Sequence, residues 1–126
     1  MWVTLKGEPD AHGMVVDFQD IKALLKPLIE AWDHATLVDA SDTELLQVVK
    51  ALQWKHYVLP YDSTAENLCC YVLEWLYEHG RDVLEAKRIR EVTVRIAETE
   101  TCYAEVTWKI HTATPDEPTE HLKFYA

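Results

Sequence analysis

Residues 92–110 have the sequence VTVRIAETETCYAEVTWKI, in which two apolar–polar alternations flank a short polar link. Apolar side chains occupy every second position of residues 92–96 and again of residues 104–110. A period of two is typical of a β-strand with one buried face. Because only a short link separates the two segments, they predict an antiparallel β-hairpin.

The middle of the chain predicts helices. The first has one apolar stripe at helical spacing, formed by Ile21, Leu24, Leu25, Leu28, Ile29 and Trp32. Pro27 lies inside this stripe and is expected to remove one backbone hydrogen bond or to kink the helix. A second, shorter helix is expected over residues 43–52, opened by Ser41 or Asp42 as its N-cap.

The third predicted helix has the clearest start signal. Ser63 and Glu66 stand at the spacing of a capping box, in which the serine caps the helix and the glutamate bonds back to the cap. An apolar stripe from Ala65 to Leu76 follows, and Gly80 is expected to end the helix.

Three further segments predict strands. They are residues 2–6, residues 54–59 and, after a turn at Pro115–Pro118, an edge strand at residues 122–125. A strand, then helices, then strands predict the α+β class. We therefore expect one domain over residues 1–126, with helices packed on one face of an antiparallel sheet.

The composition argues against several classes of function. The 126 residues include 22 acidic and 12 basic side chains, and the formal charge of -10 repels phosphate backbones and anionic membranes. No apolar run approaches the ~20 residues of a membrane span, and the N-terminus does not resemble a signal peptide. The three cysteines suggest no disulfide framework, so we expect a cytoplasmic protein. From its charge and the lack of a long apolar run, we expect it to bind neither nucleic acid nor membranes.

Asp33 and His34 directly follow the first apolar stripe and are candidates for proton transfer. Histidine exchanges protons near neutral pH, and a carboxylate can stabilise its charged form. The alternative is structural, with His34 capping the carbonyls at the end of a helix. Because adjacent residues on a helix do not face each other, the residue types alone favour the structural role.

Glu98 is a further candidate because it continues the parity of Val92, Val94 and Ile96, so that an apolar strand face ends in a carboxylate. A buried carboxylate needs hydrogen-bond donors, which a ligand would supply. In the alternative, the strand has already ended and Glu98 is solvated. Spacing alone favours this alternative.

Four segments, taken in order, resemble one protein family. They are residues 13–22 (GMVVDFQDIK), residues 33–37 (DHATL), residues 64–68 (TAENL) and the pair Glu98-Thr99. Together they are similar to the motifs of the 6-pyruvoyl-tetrahydropterin synthase and 6-carboxy-tetrahydropterin synthase family, over most of the chain.

The resemblance implies the tunnelling fold (T-fold), whose subunits join edge to edge into an oligomeric barrel, here expected to be a trimer or hexamer. It implies a pterin substrate, usually 7,8-dihydroneopterin triphosphate, which loses triphosphate in queuosine or tetrahydrobiopterin synthesis. By resemblance, Asp33 and His34 carry out proton transfer and Glu98 anchors the pterin ring. Thr64 would help to line the same pocket.

The resemblance also implies a zinc ion and a catalytic cysteine, for which this sequence has no matching residues. In the family, the zinc ligands and the cysteine precede the second strand. Here Met1 already falls inside the segment that corresponds to that second strand. We therefore expect that the residues present do not hold stoichiometric zinc.

Three explanations of this departure remain open. We favour the loss of upstream residues from the sequence, because Asp33, His34 and Glu98 are retained. Alternatively, the chain is a short paralogue that binds a pterin or forms an oligomeric scaffold without catalysis. In the third explanation, His111 or His121 forms a substitute metal site. The expected function is therefore a lyase of this family, with the non-catalytic module as the alternative.

Overall fold

The predicted hairpin forms one edge of a four-stranded antiparallel sheet. The computed structural model describes residues 1–110 and the backbone of residues 120–125. In chain order, its elements are β1 (Trp2–Gly7), α1 (Phe18–Trp32), β2 (Thr36–Asp39), α2 (Thr43–Ala51), β3 (His56–Leu59), α3 (Ala65–Ala86), β4 (Ile89–Ala97), β5 (Tyr103–Lys109) and β6 (Glu120–Tyr125).

The sheet has the strand order β5-β4-β1-β6, and each neighbouring pair is antiparallel. In its centre, Val3 pairs with Val94 and Leu5 with Val92, so that alternate apolar side chains share one buried face. Strand β6 pairs with β1, which confirms the expected edge strand. The turn predicted at residues 115–118 lies outside the described residues.

Helix α3 covers the apolar face of the sheet, and α1 packs against α3. None of the helices within the described residues is long and apolar enough to cross a membrane. The helices thus lie on one face of an antiparallel sheet, which confirms the predicted α+β class. The core side chains that α3 contributes are Ala65, Cys69, Val72, Leu73, Leu76 and Leu84.

Helices α1 and α3 run antiparallel. Leu24, in the first half of α1, lies next to Gly80 and accepts a hydrogen bond from the Trp75 indole Nε1 at its carbonyl, at 2.8 Å. Trp32, at the end of α1, has its ring 5.7 Å from that of Tyr71. The end of α1 therefore lies beside the first third of α3.

The start of α3 differs from the prediction by one residue. Its N-cap is Thr64, whose Oγ1 accepts the Asn67 N–H at 3.2 Å. The capping box predicted from Ser63 and Glu66 is therefore wrong. Serine and threonine are both good N-caps, and the two adjacent residues offered overlapping signals.

Gly80 does not end α3, which continues in helical conformation to Ala86. A Cβ atom built on Gly80 would stand 2.6 Å from Leu24 Cδ1, well inside contact distance. The glycine therefore allows α1 and α3 to approach closely. The prediction failed because the same residue that commonly follows a helix also permits close helix packing.

A separate two-stranded parallel sheet, formed by β2 and β3, contacts α1 and α2 and was only half predicted. Strand β3 confirms the later part of the segment predicted at residues 54–59, whereas β2 was missed. The two strands pair from Thr36 with His56 to Asp39 with Leu59. Helix α2 follows β2, and Asp42, one of the two expected caps, accepts the Leu45 N–H at 3.1 Å.

Candidate functional site

Asp33 and His34 form a tight turn at the end of α1. Asp33 has φ -63° and ψ 121°, and His34 has φ 54°. The Ala35 N–H donates to the Trp32 carbonyl at 3.0 Å. This geometry is that of a type II β-turn, whose third residue needs a positive φ and is usually glycine or asparagine. For His34 this backbone conformation costs about 1–2 kcal/mol.

Lys55, which directly precedes β3, holds the turn through hydrogen bonds. Its Nζ donates to the carbonyls of Glu30 and Asp33, both at 2.7 Å, and its own carbonyl accepts the Thr36 N–H at 2.9 Å. The capping role considered for His34 is thus filled by Lys55. Sequence reasoning missed Lys55 because it lies 22 residues after Asp33, and no local spacing rule joins the two.

The side chains of Asp33 and His34 are adjacent and open to solvent. The His34 Nε2 lies 3.8 Å from the Asp33 Oδ1, and the two side chains are 94% and 69% exposed, respectively. This distance allows charge interaction but is too long for a hydrogen bond. The imidazole is therefore accessible to a bound molecule, with the carboxylate close beside it.

Glu98 begins the loop of the hairpin, because β4 ends at Ala97. Its N–H donates to the Cys102 carbonyl at 2.9 Å, and the Cys102 N–H donates in turn to the Thr99 Oγ1 at 3.0 Å. These bonds hold the loop backbone, while the Glu98 side chain is exposed. The carboxylate does not extend the apolar face of β4 and is available to a ligand from outside.

Thr64 lies in the loop that leads into α3 and is also exposed. Its hydroxyl accepts the Asn67 N–H as the helix cap, and its own hydrogen remains available for donation. The Asn67 Nδ2 donates to the Asp62 carbonyl at 2.9 Å, which further fixes this loop.

Contacts made by α3 relate the loops that carry the four predicted site residues. The Cys69 Sγ donates to the Ala104 carbonyl at 3.5 Å, which places the start of α3 over the start of β5, next to the hairpin loop. The end of α1 lies beside Tyr71, about half a helical turn further along α3. The Asp33 Oδ1 and the His34 Nε2 lie 3.8 Å apart, whereas Thr64 and Glu98 lie on two other loops.

An aromatic cluster of Trp32, Tyr57 and Tyr71 packs next to the turn, with ring centroids 5.7 to 6.0 Å apart. The hydroxyls of Tyr57 and Tyr71 share a hydrogen bond of 2.6 Å. Burial, together with this bond, raises the pKa of Tyr71 above its ordinary value, so that its hydroxyl stays protonated. The cluster ties the end of α1 to β3 and α3. Sequence reasoning missed it because its members come from three elements.

The described residues do not fit a metal ion. Among residues 1–110, no group of three histidine, cysteine or carboxylate side chains is arranged to bind one. The side chains of His111 and His121 lie outside the described residues. The zinc ion that the resemblance implies therefore lacks a ligand set in residues 1–110.

Comparison with known proteins gives matches over most of the chain. Residues 1–109 match the family described as 6-pyruvoyl tetrahydropterin synthase. A Pyrococcus abyssi protein provisionally named 6-carboxy-5,6,7,8-tetrahydropterin synthase is 32% identical over 120 residues, which cover 83% of this chain and 68% of that protein. The Haemophilus influenzae 6-carboxy-5,6,7,8-tetrahydropterin synthase is 26% identical, over 73% of this chain and 63% of its own length. The chain thus spans about two thirds of the length of these relatives.

Solved structures show the same fold at low identity. The 6-pyruvoyl tetrahydropterin synthase of Plasmodium falciparum superimposes with a TM-score of 0.67 at 19% identity, and that of Plasmodium vivax with a TM-score of 0.69 at 17% identity. Both matches cover 86% of this chain and 79% of the other. The expected T-fold subunit is therefore confirmed.

Proposed function

The chain belongs to the 6-pyruvoyl tetrahydropterin synthase family, and from this membership we propose that it binds a reduced pterin, 7,8-dihydroneopterin triphosphate, and releases triphosphate from it. The product would serve queuosine or tetrahydrobiopterin synthesis. One observation of the structure carries the proposal: an exposed histidine is held in a strained turn beside a carboxylate. Strain of this kind is concentrated at functional sites.

In this proposal His34 is the proton carrier. Loss of triphosphate from a carbon side chain is an elimination: a C–H proton leaves the neighbouring carbon, and its electron pair forms a double bond as the C–O bond to triphosphate breaks. The His34 Nε2 would accept this proton, and the Asp33 carboxylate, 3.8 Å away, would stabilise the charged ring. The Asp33 and His34 side chains are not hydrogen-bonded to each other in the free chain. A hydrogen bond between them would therefore form only when the substrate is bound.

Glu98 and Thr64 are the proposed pterin ligands. The Glu98 carboxylate would accept hydrogen bonds from N–H groups of the pterin ring, and the Thr64 hydroxyl would donate one from the opposite loop. Both side chains are exposed, so a pocket that encloses the ring needs a wall beyond those within the described residues. We propose that a second copy of the chain supplies this wall, within a trimer or hexamer.

The second candidate function is a non-catalytic member of the family that binds a pterin or serves as an oligomeric module. The exposure of Asp33 and His34 favours it, because proton abstraction is helped by a site that excludes water. Glu98 and Thr64 could bind a pterin in either case.

The experiment compares Glu98→Gln with the parent, using binding of 7,8-dihydroneopterin triphosphate and release of triphosphate as separate readouts. A charge-assisted hydrogen bond is worth roughly 1.5–3 kcal/mol, so the substitution should weaken pterin binding about ten- to a hundredfold. Glu100→Gln, an exposed carboxylate in the same loop, is the matched control and should leave affinity unchanged.

The outcomes separate the two candidates. Equal affinity of Glu98→Gln and the parent would remove Glu98 from the pterin site. Triphosphate release by the parent that is lost in His34→Ala, with binding retained, would support the enzyme. Pterin binding without any release would select the non-catalytic module.

A further inference from the structure

Lys55 is bonded to the chain on both sides of His34. Its ammonium group donates to the carbonyls of Glu30 and Asp33, and its backbone carbonyl accepts the N–H of Thr36. All three donor–acceptor distances lie between 2.7 and 2.9 Å. A single residue from another part of the chain therefore holds the backbone both before and after His34.

The Lys55 ammonium group supplies a positive charge at the end of α1, where the helix has none of its own. The last carbonyls of a helix have no partners within the helix, and they form the negative end of its dipole. The last turn of α1 contains no basic residue, and Lys55 supplies the cation from just before β3. Bonds of 2.7 Å from an ammonium group are typical of charge-assisted hydrogen bonds.

We propose that Lys55 is a positioning residue for the Asp33–His34 pair, a proposal that rests on the proton-transfer role assigned to His34 above. A non-glycine residue keeps a positive φ only where its surroundings enforce it. Without the ammonium group, the carbonyls of residues 30 and 33 would turn toward water, and the turn would relax. The His34 ring would then lose its fixed placement beside Asp33.

The proposal predicts different effects on turnover and binding. Glu98 and Thr64 lie on other loops, so that pterin affinity should change less than about twofold when Lys55 is replaced. Misplacement of a reacting group by about 1 Å can cost a hundredfold in rate, so triphosphate release should fall about ten- to a hundredfold. Such a split between rate and affinity would not arise from general loss of folded protein.

The test uses the full chain with Lys55→Met, Lys55→Arg and the control Lys50→Met. Lys50 is an exposed lysine of the last turn of α2 and receives the same substitution. The NMR signals of His34 and the amide exchange rate of Thr36 report the turn directly, without any substrate. Lys55→Met should shift the His34 signals toward those of an unstructured chain and speed exchange at Thr36. Lys55→Arg, which keeps cationic donors, should restore both, and Lys50→Met should match the parent.

The result that would overturn the proposal is an unchanged His34 signal in Lys55→Met. If Lys55→Met does not fold, Lys55→Gln gives the same comparison with a polar side chain. A parent that never releases triphosphate would overturn the enzymatic function instead. The NMR arm would still decide whether Lys55 positions His34.

Discussion

At the scale of the residue, the proton-transfer role proposed for His34 opposes local stability. It occupies a turn position that favours glycine, and Lys55 bonds the backbone on both sides of it. The sequence offered Asp33 and His34 as candidates by their chemistry, but the residue types alone favoured a structural role, and only the family resemblance implied proton transfer. The sequence could not predict the turn type, because that depends on a lysine far along the chain.

Replacing His34 with glycine should stabilise the fold while removing the proposed proton carrier. Glycine adopts a φ of 54° without strain, which removes a cost of about 1–2 kcal/mol, but its unfolded state is freer by about 0.5–1 kcal/mol. The free energy of unfolding, measured with urea, should therefore rise by about 0–1.5 kcal/mol. Triphosphate release should be lost in the same variant.

Gln53→Gly is the matched control for this prediction. Gln53 also has a φ of 54°, and it follows α2, outside the proposed site. Its replacement should give a similar gain in stability with no change in triphosphate release. A loss of stability in His34→Gly alone would mean that the imidazole contributes more to the fold than its backbone strain costs.

At the scale of the element, helices and strands with a repeating apolar pattern were predictable from the sequence. Features that depend on tertiary contacts were not. The hairpin and the apolar stripe of α1 repeat over many residues, so their periods identify them before any contact is known. Strand β2 has four residues and exists through its pairing with β3. A glycine at position 80 could either end the helix or leave room for the Leu24 side chain. Only the packing of α1 decides between these two roles.

The start of α3 offers a direct test of which residue caps the helix. Thr64→Ala removes the hydroxyl that accepts the Asn67 N–H and should lower the free energy of unfolding by about 1 kcal/mol. Ser63→Ala, one residue earlier, should change it by less than about 0.5 kcal/mol, since surface substitutions away from such features are nearly neutral. Thermal and urea denaturation would measure both. The reverse order of effects would restore the capping box predicted from Ser63 and Glu66.

At the scale of the whole molecule, the candidate site is exposed to solvent and the sheet has open edges. Among the described strands, β5 pairs with β4 alone, so its other edge presents N–H and C=O groups to a further strand. The side chains proposed to bind the pterin, those of Glu98 and Thr64, are exposed. These features could not be judged from the sequence, because an alternating segment looks the same whether its strand lies at an edge or in the centre.

We expect the chain to assemble through its sheet edges into a trimer or hexamer whose population depends on salt. Each chain carries a formal charge of -10, so bringing copies together is opposed by repulsion that acts over about 30 Å at 0.01 M salt but only about 8 Å at 0.15 M. Pairing of backbone groups at the edges does not depend on these charges. Light scattering at micromolar concentration should therefore show a larger mass at 0.15 M salt than at 0.01 M, while the circular dichroism spectrum stays constant. A monomer mass at both salt concentrations would contradict edge-to-edge assembly. It would also leave Glu98 without the second chain that is proposed to enclose the pterin.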